Sequence, residues 1–240
     1  MRDYSIPGYS VIMSGAQGTG KSTLAKGWEE STECTFRAVQ TRDHLPLGVT
    51  SHMDILRLAV EDPMEAVEFQ LRLIRQRTQM FKDAYNRGEL IVSDRAVFDS
   101  YVYFLLHNSM FASQEARDEA LRLSNESIDY YNMTLFFNTK DKSIEDNNFR
   151  VVDPEYSVAV SSTLLKVTMR AYEERFGAAL CNSVTLNHPV YPGSITARFT
   201  NTGKGIMILN EPSGMIPQEA RLELLSSAVK SIDSVRKDSK

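Results

Sequence analysis

A glycine-rich loop near the N-terminus constrains the fold of this chain more than any other feature. Residues 9–23 read YSVIMSGAQGTGKST, an apolar run followed by the complete pattern G-x-x-x-x-G-K-[ST]. The glycines of such a loop let the backbone curl so that consecutive N–H groups point at phosphate oxygens, and the next helix adds its positive end. Residues 11–13 predict the strand before the loop and residues 24–28 the helix after it. The sequence therefore predicts a site for a nucleoside triphosphate.

Each residue type in the loop has a physical role. We expect Lys21 to reach the β and γ phosphates of ATP, and Ser22 to place its hydroxyl on Mg²⁺. Thr23 would pack behind Ser22 or assist it. The residues expected to contact the nucleotide are Gly15, Ala16, Gln17, Gly18, Thr19, Gly20, Lys21, Ser22 and Thr23. ATP and Mg²⁺ are thus the predicted cofactors.

Length and composition favour one globular unit. The chain has 240 residues, of which 42% are apolar, enough for a substantial core, so residues 1–240 are predicted to form a single α/β domain. Two cysteines, Cys34 and Cys181, lack the spacing of a disulfide framework or a zinc site. A reduced cytoplasmic location is expected, which would be the host cytoplasm for a viral protein.

Charge and hydropathy narrow the expected partners. The N-terminus lacks the apolar region of a signal peptide, and the longest apolar run, residues 101–106, is too short to span a membrane. No membrane partner is expected. A formal net charge of -4 disfavours DNA binding without excluding a local basic groove. The sequence leaves open whether the chain is a monomer or a homodimer.

Apolar runs alternate with segments of helical period, a pattern typical of a parallel sheet wrapped by helices. We predict a mostly parallel, five-stranded sheet flanked by helices, a polar lid at about 139–154 and an irregular C-terminal addition at about 183–240. Strands are predicted at 11–14, 35–40, 89–95 and 133–138, with further candidates at 184–186 and 206–209. Helices are predicted at 51–62, 63–86, 97–106, 113–130, 155–176 and 218–235. The glycine-containing segment 201–205 is expected to form a hairpin turn.

Two charged residues, Asp94 and Arg95, follow a buried strand. Ligands of open parallel sheets bind beyond the carboxyl ends of the strands, so both side chains should face the phosphates. Asp94 could hold the Mg²⁺ shell or accept a proton from an attacking hydroxyl, and Arg95 could stabilise phosphate charge. An ion pair at the end of a strand is the structural alternative.

Several basic side chains are candidates for the acceptor site. The helix at 63–86 and the residue after it carry Arg72, Arg75, Arg77, Lys82 and Arg87. The simplest interpretation is a solvated face paired with nearby acids. An anionic or nucleotide acceptor needs cations beyond those that hold ATP, and Arg42 and Arg75 are chosen for that role. The aromatic residues that follow Asp94 and Arg95 have a different expected role, because Tyr101, Tyr103 and Phe104 are predicted to pack in the core.

The segments around these residues resemble two families in the families' own order. The segment 94–98 (DRAVF) resembles the D-R-x-x-F/Y segment of thymidylate kinases and the E-R-S-V-Y segment of deoxynucleoside kinases. Phe69 and Gln70 resemble the F-Q pair of deoxynucleoside kinases, which implies that Gln70 reads a base edge. The segment 146–156 resembles the lid of related P-loop kinases that include ribosylnicotinamide kinase, which implies that Arg150 balances transition-state charge together with Lys21. For Gln70, the alternative to reading a base edge is a solvated side chain on the helix surface.

The resemblance covers roughly residues 9–177 and implies a P-loop kinase fold. Ala96 departs from both families, the lid has a single arginine, and nothing after Gly177 has a counterpart. Three functions stay open. The first is transfer of the γ-phosphoryl of Mg-ATP to a nucleoside or nucleoside monophosphate, with a pyrimidine deoxynucleotide favoured. The others are a kinase for hydroxymethyluracil in DNA, resembling those of some bacteriophages, and an ATPase that drives a partner.

Overall fold

The computed structural model describes residues 9–16, 18–139, 153–211 and 216–238, along which strands and helices alternate as predicted. The strands are β1 (Val11–Ser14), β2 (Thr35–Phe36), β3 (Ile91–Ser93), β4 (Met133–Thr139), β5 (Asn182–Asn187), β6 (Ser194–Phe199) and β7 (Gly205–Glu211). The helices are α1 (Lys21–Ser31), α2 (His52–Glu61), α3 (Pro63–Asn86), α4 (Val97–His107), α5 (Gln114–Ser127), α6 (Pro154–Phe176) and α7 (Gln218–Asp238). Single 3-10 turns lie at Thr41–His44 and Gly177–Ala179.

One sheet joins all of these strands in the order β2-β3-β1-β4-β7-β6-β5. In this spatial order, the four pairings that connect β2, β3, β1, β4 and β7 are parallel. The pairings of β7 with β6 and of β6 with β5 are antiparallel. The register of β1 with β3 pairs Val11 with Val92 and Ile12 with Ser93. Parallel pairing brings the carboxyl ends of β1 and β3 to the same edge, so the glycine-rich loop and Asp94 start from neighbouring positions.

Helices cover both faces of the sheet, as its alternating side chains require. On one face, Val11 and Met13 of β1 pack with Leu24 and Trp28 of α1 and with the apolar side of α7. On the other, Ile12 packs against the buried sides of α3, α4 and α6. Strands buried on both faces read as nearly continuous apolar runs, which explains why residues 11–13 are apolar throughout and residues 133–137 are apolar except for Thr134.

Helix α3 has the predicted bounds and supplies two residues of the site. It begins at Pro63, where the Asp62 side chain caps the backbone N–H of Glu65 at 3.1 Å. The predicted apolar stripe is buried and consists of Val67, Leu71, Ile74 and Thr78. Its burial fixes the rotation of α3 about its axis, and that rotation turns Gln70 and Arg77 inward.

The prediction of five strands is wrong, because the described residues already form a sheet of seven. The segment expected to be an irregular addition supplies β7 as a parallel neighbour of β4 and adds the β5–β6 hairpin. Strand β6 alternates, with Ile195, Ala197 and Phe199 buried, but it follows a Pro/Gly-rich stretch that obscured this pattern. The hairpin turn predicted at 201–205 is confirmed, with Gly203 at φ 80° between β6 and β7. Strand β2 ends at Phe36, well before the predicted residue 40.

The predicted lid, apart from its flanking residues, lies outside the described residues. Of the helices within the described ranges, none combines the length and apolar character needed to cross a bilayer.

A substitution at Gly205 tests the junction between the parallel sheet and the hairpin. A Cβ at this position would lie 2.1 Å from the carbonyl oxygen of Arg198 and 2.7 Å from Cα of Phe199. Both are backbone atoms of the paired strand β6, so they cannot move without breaking the pairing. We expect Gly205→Ala to lower the free energy of unfolding by about 1–3 kcal/mol, the usual cost of overpacking, measured by urea denaturation.

Gly27→Ala is the matched control. At Gly27 the added Cβ meets a methyl group of Leu222, which can move, and alanine favours the helix. An equal loss of stability in both variants would contradict the assignment of the Gly205 effect to the strand junction.

Candidate functional site

The glycine-rich loop curls between β1 and α1 in the way that its sequence predicts. Gly15, Gly18 and Gly20 have φ values of 142°, 73° and 82°, a region that disfavours side chains. A Cβ on Gly15 would lie 3.2 Å from both Cβ and the carbonyl oxygen of Phe137, so the start of the loop rests directly on β4. Gln17, predicted to contact the nucleotide, lies outside the described residues.

Lys21 is the first residue of α1 and is buried within the loop. Its Nζ donates hydrogen bonds to the carbonyl oxygen of Ala16 and, at 3.2 Å, to Oγ1 of Thr19. Both acceptors belong to the loop, so the ammonium is held inside the concave surface that phosphates would occupy. Its position agrees with the role predicted for Lys21.

Ser22 and Asp94 meet at the mouth of the loop. Ser22 Oγ donates to Asp94 Oδ2 at 2.7 Å, although the two residues are 72 positions apart in the sequence. A hydroxyl and a carboxylate are oxygen ligands of the kind that Mg²⁺ prefers, and Mg²⁺ commonly takes only one or two protein ligands beside phosphate and water. The pair predicted to hold the metal is therefore brought together and fits that ion.

Arg95 is fixed by a buried carboxylate that the sequence analysis did not identify. Asp99 is 1% exposed and accepts from Arg95 Nη1 at 3.1 Å, from Ser14 Oγ at 2.9 Å and from the backbone N–H of Ala96 at 3.0 Å. These three bonds tie the end of β1, the start of α4 and the Arg95 guanidinium together. The available signal was an acid inside an otherwise apolar helix, at 97–104.

Two adjoining cavities open around these residues. The larger has a volume of about 480 Å³ and is lined by Gly18, Thr19, Gly20, Lys21, Ser22, Thr23, Val39, Gln40, Thr41, Arg42, Arg77, Asp94 and Arg95. The smaller has a volume of about 70 Å³ and is lined by Thr41, Ile55, Gln70, Leu73, Arg77, Arg95, Asp99, Ser100, Tyr103 and His107. Thr41, Arg77 and Arg95 line both, so they mark the junction between the cavities.

Arg77 is buried at this junction, and its assignment to a solvated helix face is wrong. It is 3% exposed and donates to Ser100 Oγ, to the carbonyl oxygen of Val39 at 3.2 Å and to Thr41 Oγ1 at 3.3 Å. All three acceptors are uncharged. Within the described part of the chain, its Nε lacks a hydrogen-bond partner. Burial, followed by the nearby Arg95, lowers the pKa of Arg77 to about 10, so it remains a cation at neutral pH.

The three residues predicted to bind the acceptor occupy different environments. Gln70 is 5% exposed and lines the smaller cavity, which excludes the alternative of a solvated glutamine. Arg42 lines the larger cavity from the 3-10 turn. Arg75 lies on the outer face of α3, where it pairs with Glu68 and Glu119 at 2.8 and 2.7 Å. The structure does not bring Arg75 to either cavity.

Aromatic side chains close the far end of the smaller cavity. Tyr103 and His107 stack at 6.3 Å between ring centroids, and the His107 ring in turn lies 5.7 Å from that of Tyr156. His107 Nε2 and the Tyr156 hydroxyl are hydrogen bonded at 2.7 Å. Burial lowers the pKa of His107, so the imidazole is neutral at pH 7. Tyr103, expected to be a core residue, therefore also forms part of the wall of this cavity.

Arg150, the predicted lid arginine, lies outside the described residues.

Comparisons with known proteins agree with this geometry. A family model described as an AAA domain matches residues 10–176. A thymidylate kinase from Mycoplasma genitalium is 29% identical over 101 residues, which are 40% of this chain and 48% of that protein. The aligned region thus spans about half the length of this curated relative.

Two solved structures of deoxyadenosine kinase from M. mycoides have similar folds. The structure with bound dCTP has a TM-score of 0.52 at 12% identity, and the structure with the products dCMP and a flexible dCDP has a TM-score of 0.50 at 11% identity. Each match covers 92% of this chain and 98% of the kinase. At such identity the likeness establishes the fold.

These matches confirm the resemblance to thymidylate and deoxynucleoside kinases that the motifs indicate. Because the AAA domain model spans most of the chain, from the strand before the glycine-rich loop to the end of α6, the chain belongs to that family of P-loop proteins.

Proposed function

We propose that this chain transfers the γ-phosphoryl group of ATP to a nucleoside or nucleoside monophosphate. One observation carries the proposal: a small cavity lined by a buried glutamine adjoins the cavity at the glycine-rich loop, and two arginines line both. In this arrangement a base would lie on one side of Arg77 and Arg95, and a triphosphate on the other. The relationship to a thymidylate kinase supports the same assignment.

The loop and its neighbours supply the donor site. Backbone N–H groups of residues 15–22 would cradle the triphosphate, and Lys21 would leave its contacts with Ala16 and Thr19 to bind the β and γ phosphates. Ser22 and Asp94 would hold Mg²⁺, which neutralises charge on the phosphate oxygens when it is bound. Arg95, oriented by Asp99, would face the oxygens of the transferred group.

The transfer step needs positioning more than covalent chemistry. The acceptor oxygen forms a bond to the γ phosphorus while the bond between that phosphorus and the bridging oxygen of the β phosphate breaks, and ADP leaves. If the acceptor is a hydroxyl, Asp94 would take its proton through a carboxylate oxygen that does not bind Mg²⁺. If the acceptor is a monophosphate, the attacking oxygen is already ionised and Asp94 acts on orientation alone.

The acceptor would lie along α3. The amide of Gln70 offers one donor group and one acceptor group to a base edge, and the Arg77 Nε–H adds a buried donor nearby. Because the cavity is small, we favour a pyrimidine deoxynucleotide over a purine.

An ATPase that acts on a partner is the second candidate. The match to an AAA domain model favours it, since ATP hydrolysis needs the same loop, metal ligands and cation. The smaller cavity beside Arg77 is not needed for hydrolysis, which is why phosphoryl transfer is the preferred proposal.

Transfer of label from γ-labelled Mg-ATP separates these functions. The protein is incubated with nucleosides, nucleoside monophosphates, plain DNA or DNA containing hydroxymethyluracil, and each pool is examined for label. We expect label in a pyrimidine nucleoside or monophosphate. Label only in inorganic phosphate would support the ATPase. Label only in the modified DNA would support a kinase for hydroxymethyluracil in DNA.

Asp94→Asn tests the proposed role of the carboxylate. The amide keeps the shape and loses the charge needed to bind Mg²⁺ or take a proton, so kcat should fall by about a hundredfold or more while ATP binding in the absence of metal is retained. Single-turnover transfer and a nucleotide titration give the two values. Asp129→Asn, at an exposed carboxylate paired with Arg175, is the control and should leave both values unchanged. An equal decline in binding and rate would make Asp94 a donor-binding residue.

Gln70→Leu tests the base site. Removing the amide should lower kcat/KM for the preferred base by roughly tenfold or more and reduce the differences among bases, because a buried hydrogen bond discriminates against bases that cannot pair with it. The KM for ATP should stay constant. Gln79→Leu on the exposed side of the same helix is the matched control. Unchanged preferences in Gln70→Leu would remove this residue from the site.

A further inference from the structure

A buried ion pair lies behind the glycine-rich loop, on the side away from the smaller cavity. Arg221 of α7 donates from Nε and Nη2 to the two carboxylate oxygens of Glu211 at 2.6 and 2.8 Å. The side chains are 4% and 2% exposed. Glu211 is the last residue of β7, so the pair joins the end of a strand to the first turns of the C-terminal helix.

The same guanidinium also contacts the loop. Arg221 Nη1 donates to the backbone carbonyl oxygen of Thr19 at 3.3 Å, and Arg221 Cζ lies 5.9 Å from the centroid of the Phe137 ring. Phe137 is the residue on which Gly15 rests. The loop is therefore supported at its first glycine by β4 and at its middle by Arg221.

The geometry of arginine makes this contact directional. Its five N–H groups have a fixed planar arrangement, so two bonds to the Glu211 carboxylate determine where Nη1 points. Lysine would place one ammonium in the same space without a fixed direction. Stability alone is a weak reason for the pair, because an apolar pair of similar volume is often at least as stable as a buried ion pair.

Holding the Thr19 carbonyl orients the next amide. The peptide bond between Thr19 and Gly20 is planar and trans, so the carbonyl of Thr19 and the N–H of Gly20 point in opposite directions. With the carbonyl bound to Arg221 behind the loop, the N–H of Gly20 is turned to the opposite side. Thr19 and Gly20 both line the large cavity on that side.

We propose that Arg221, oriented by Glu211, is a positioning residue that presets the Gly20 N–H for binding the triphosphate. This inference rests on the proposed function, because it assumes that the loop binds a nucleoside triphosphate. It assigns a role to β7 and α7, the segment for which the sequence resemblance offers no counterpart. An amide that is already oriented binds phosphate without the cost of rotating a peptide.

The test measures ATP binding apart from phosphoryl transfer. The double variant Arg221→Met/Glu211→Leu replaces both charges with apolar groups, which should preserve folding, as checked by thermal melting. We expect the Kd for Mg-ATP, measured by calorimetry without acceptor, to rise by about tenfold, the effect of losing one well-directed hydrogen bond to a charged group. In steady-state assays the KM for ATP should rise likewise, whereas the KM for the acceptor should not change.

Two further variants make the result specific. Arg221→Lys keeps a cation beside Glu211, so it should fold, yet it should weaken ATP binding because it cannot hold the carboxylate and the Thr19 carbonyl together. It decides the question if the double variant does not fold. Arg175→Met breaks a bidentate pair with Asp129 at the exposed surface and should leave ATP binding unchanged.

The two proposals fail in different ways. If the wild-type protein does not bind Mg-ATP, the proposed function fails. If the wild type binds Mg-ATP and a folded double variant, or Arg221→Lys in its place, binds it with the same affinity, the role of Arg221 is overturned.

Discussion

The parallel pairing of β1 with β3 is the constraint on which the candidate site depends. It aligns Val11 with Val92 and Ile12 with Ser93, so that both strands end at one edge of the sheet. The loop after β1 and the acid after β3 are thereby brought together, and the hydrogen bond between Ser22 and Asp94 results. A shift of this register by one residue would turn the side chains of one strand to the opposite face and exchange residues between the two cores, so the packing of the cores also fixes the site.

Several charged side chains are buried in the wall of the candidate site or behind its loop. Asp99, Arg77 and the Glu211–Arg221 pair are almost fully buried, although burying charge costs free energy unless partners compensate it. Asp99 is compensated by three donors, and Glu211 by a bidentate guanidinium. Arg77 has uncharged partners, so its charge is available to a ligand. Burying these groups costs stability, and it sets their positions before any ligand binds.

The acceptor side depends on helices more than on the sheet. Gln70 and Arg77 lie on α3, and Tyr103 and His107 lie on α4, so the smaller cavity is the space between two helices that pack on the same face of the sheet. The hydrogen bond between His107 and Tyr156 connects this space to the first turn of α6. The proposed donor and acceptor sites are therefore built from different elements, and the two cavities meet at Arg77 and Arg95.

The sequence by itself determined the elements whose signals are local. Glycine spacing specified the loop, apolar runs specified β1, β3 and β4, and the cap at Asp62 with the stripe of Val67, Leu71 and Ile74 gave α3 its bounds. Only the tertiary structure decided which charged residues are buried. Arg75 and Arg77 are two positions apart on one helix, and their difference arises from the rotation of α3 against its neighbours. A local signal existed for Asp99, an acid in a largely apolar helix, but its bond from Ser14 and the contact of Arg221 with Thr19 join distant elements, so no local pattern could identify these contacts.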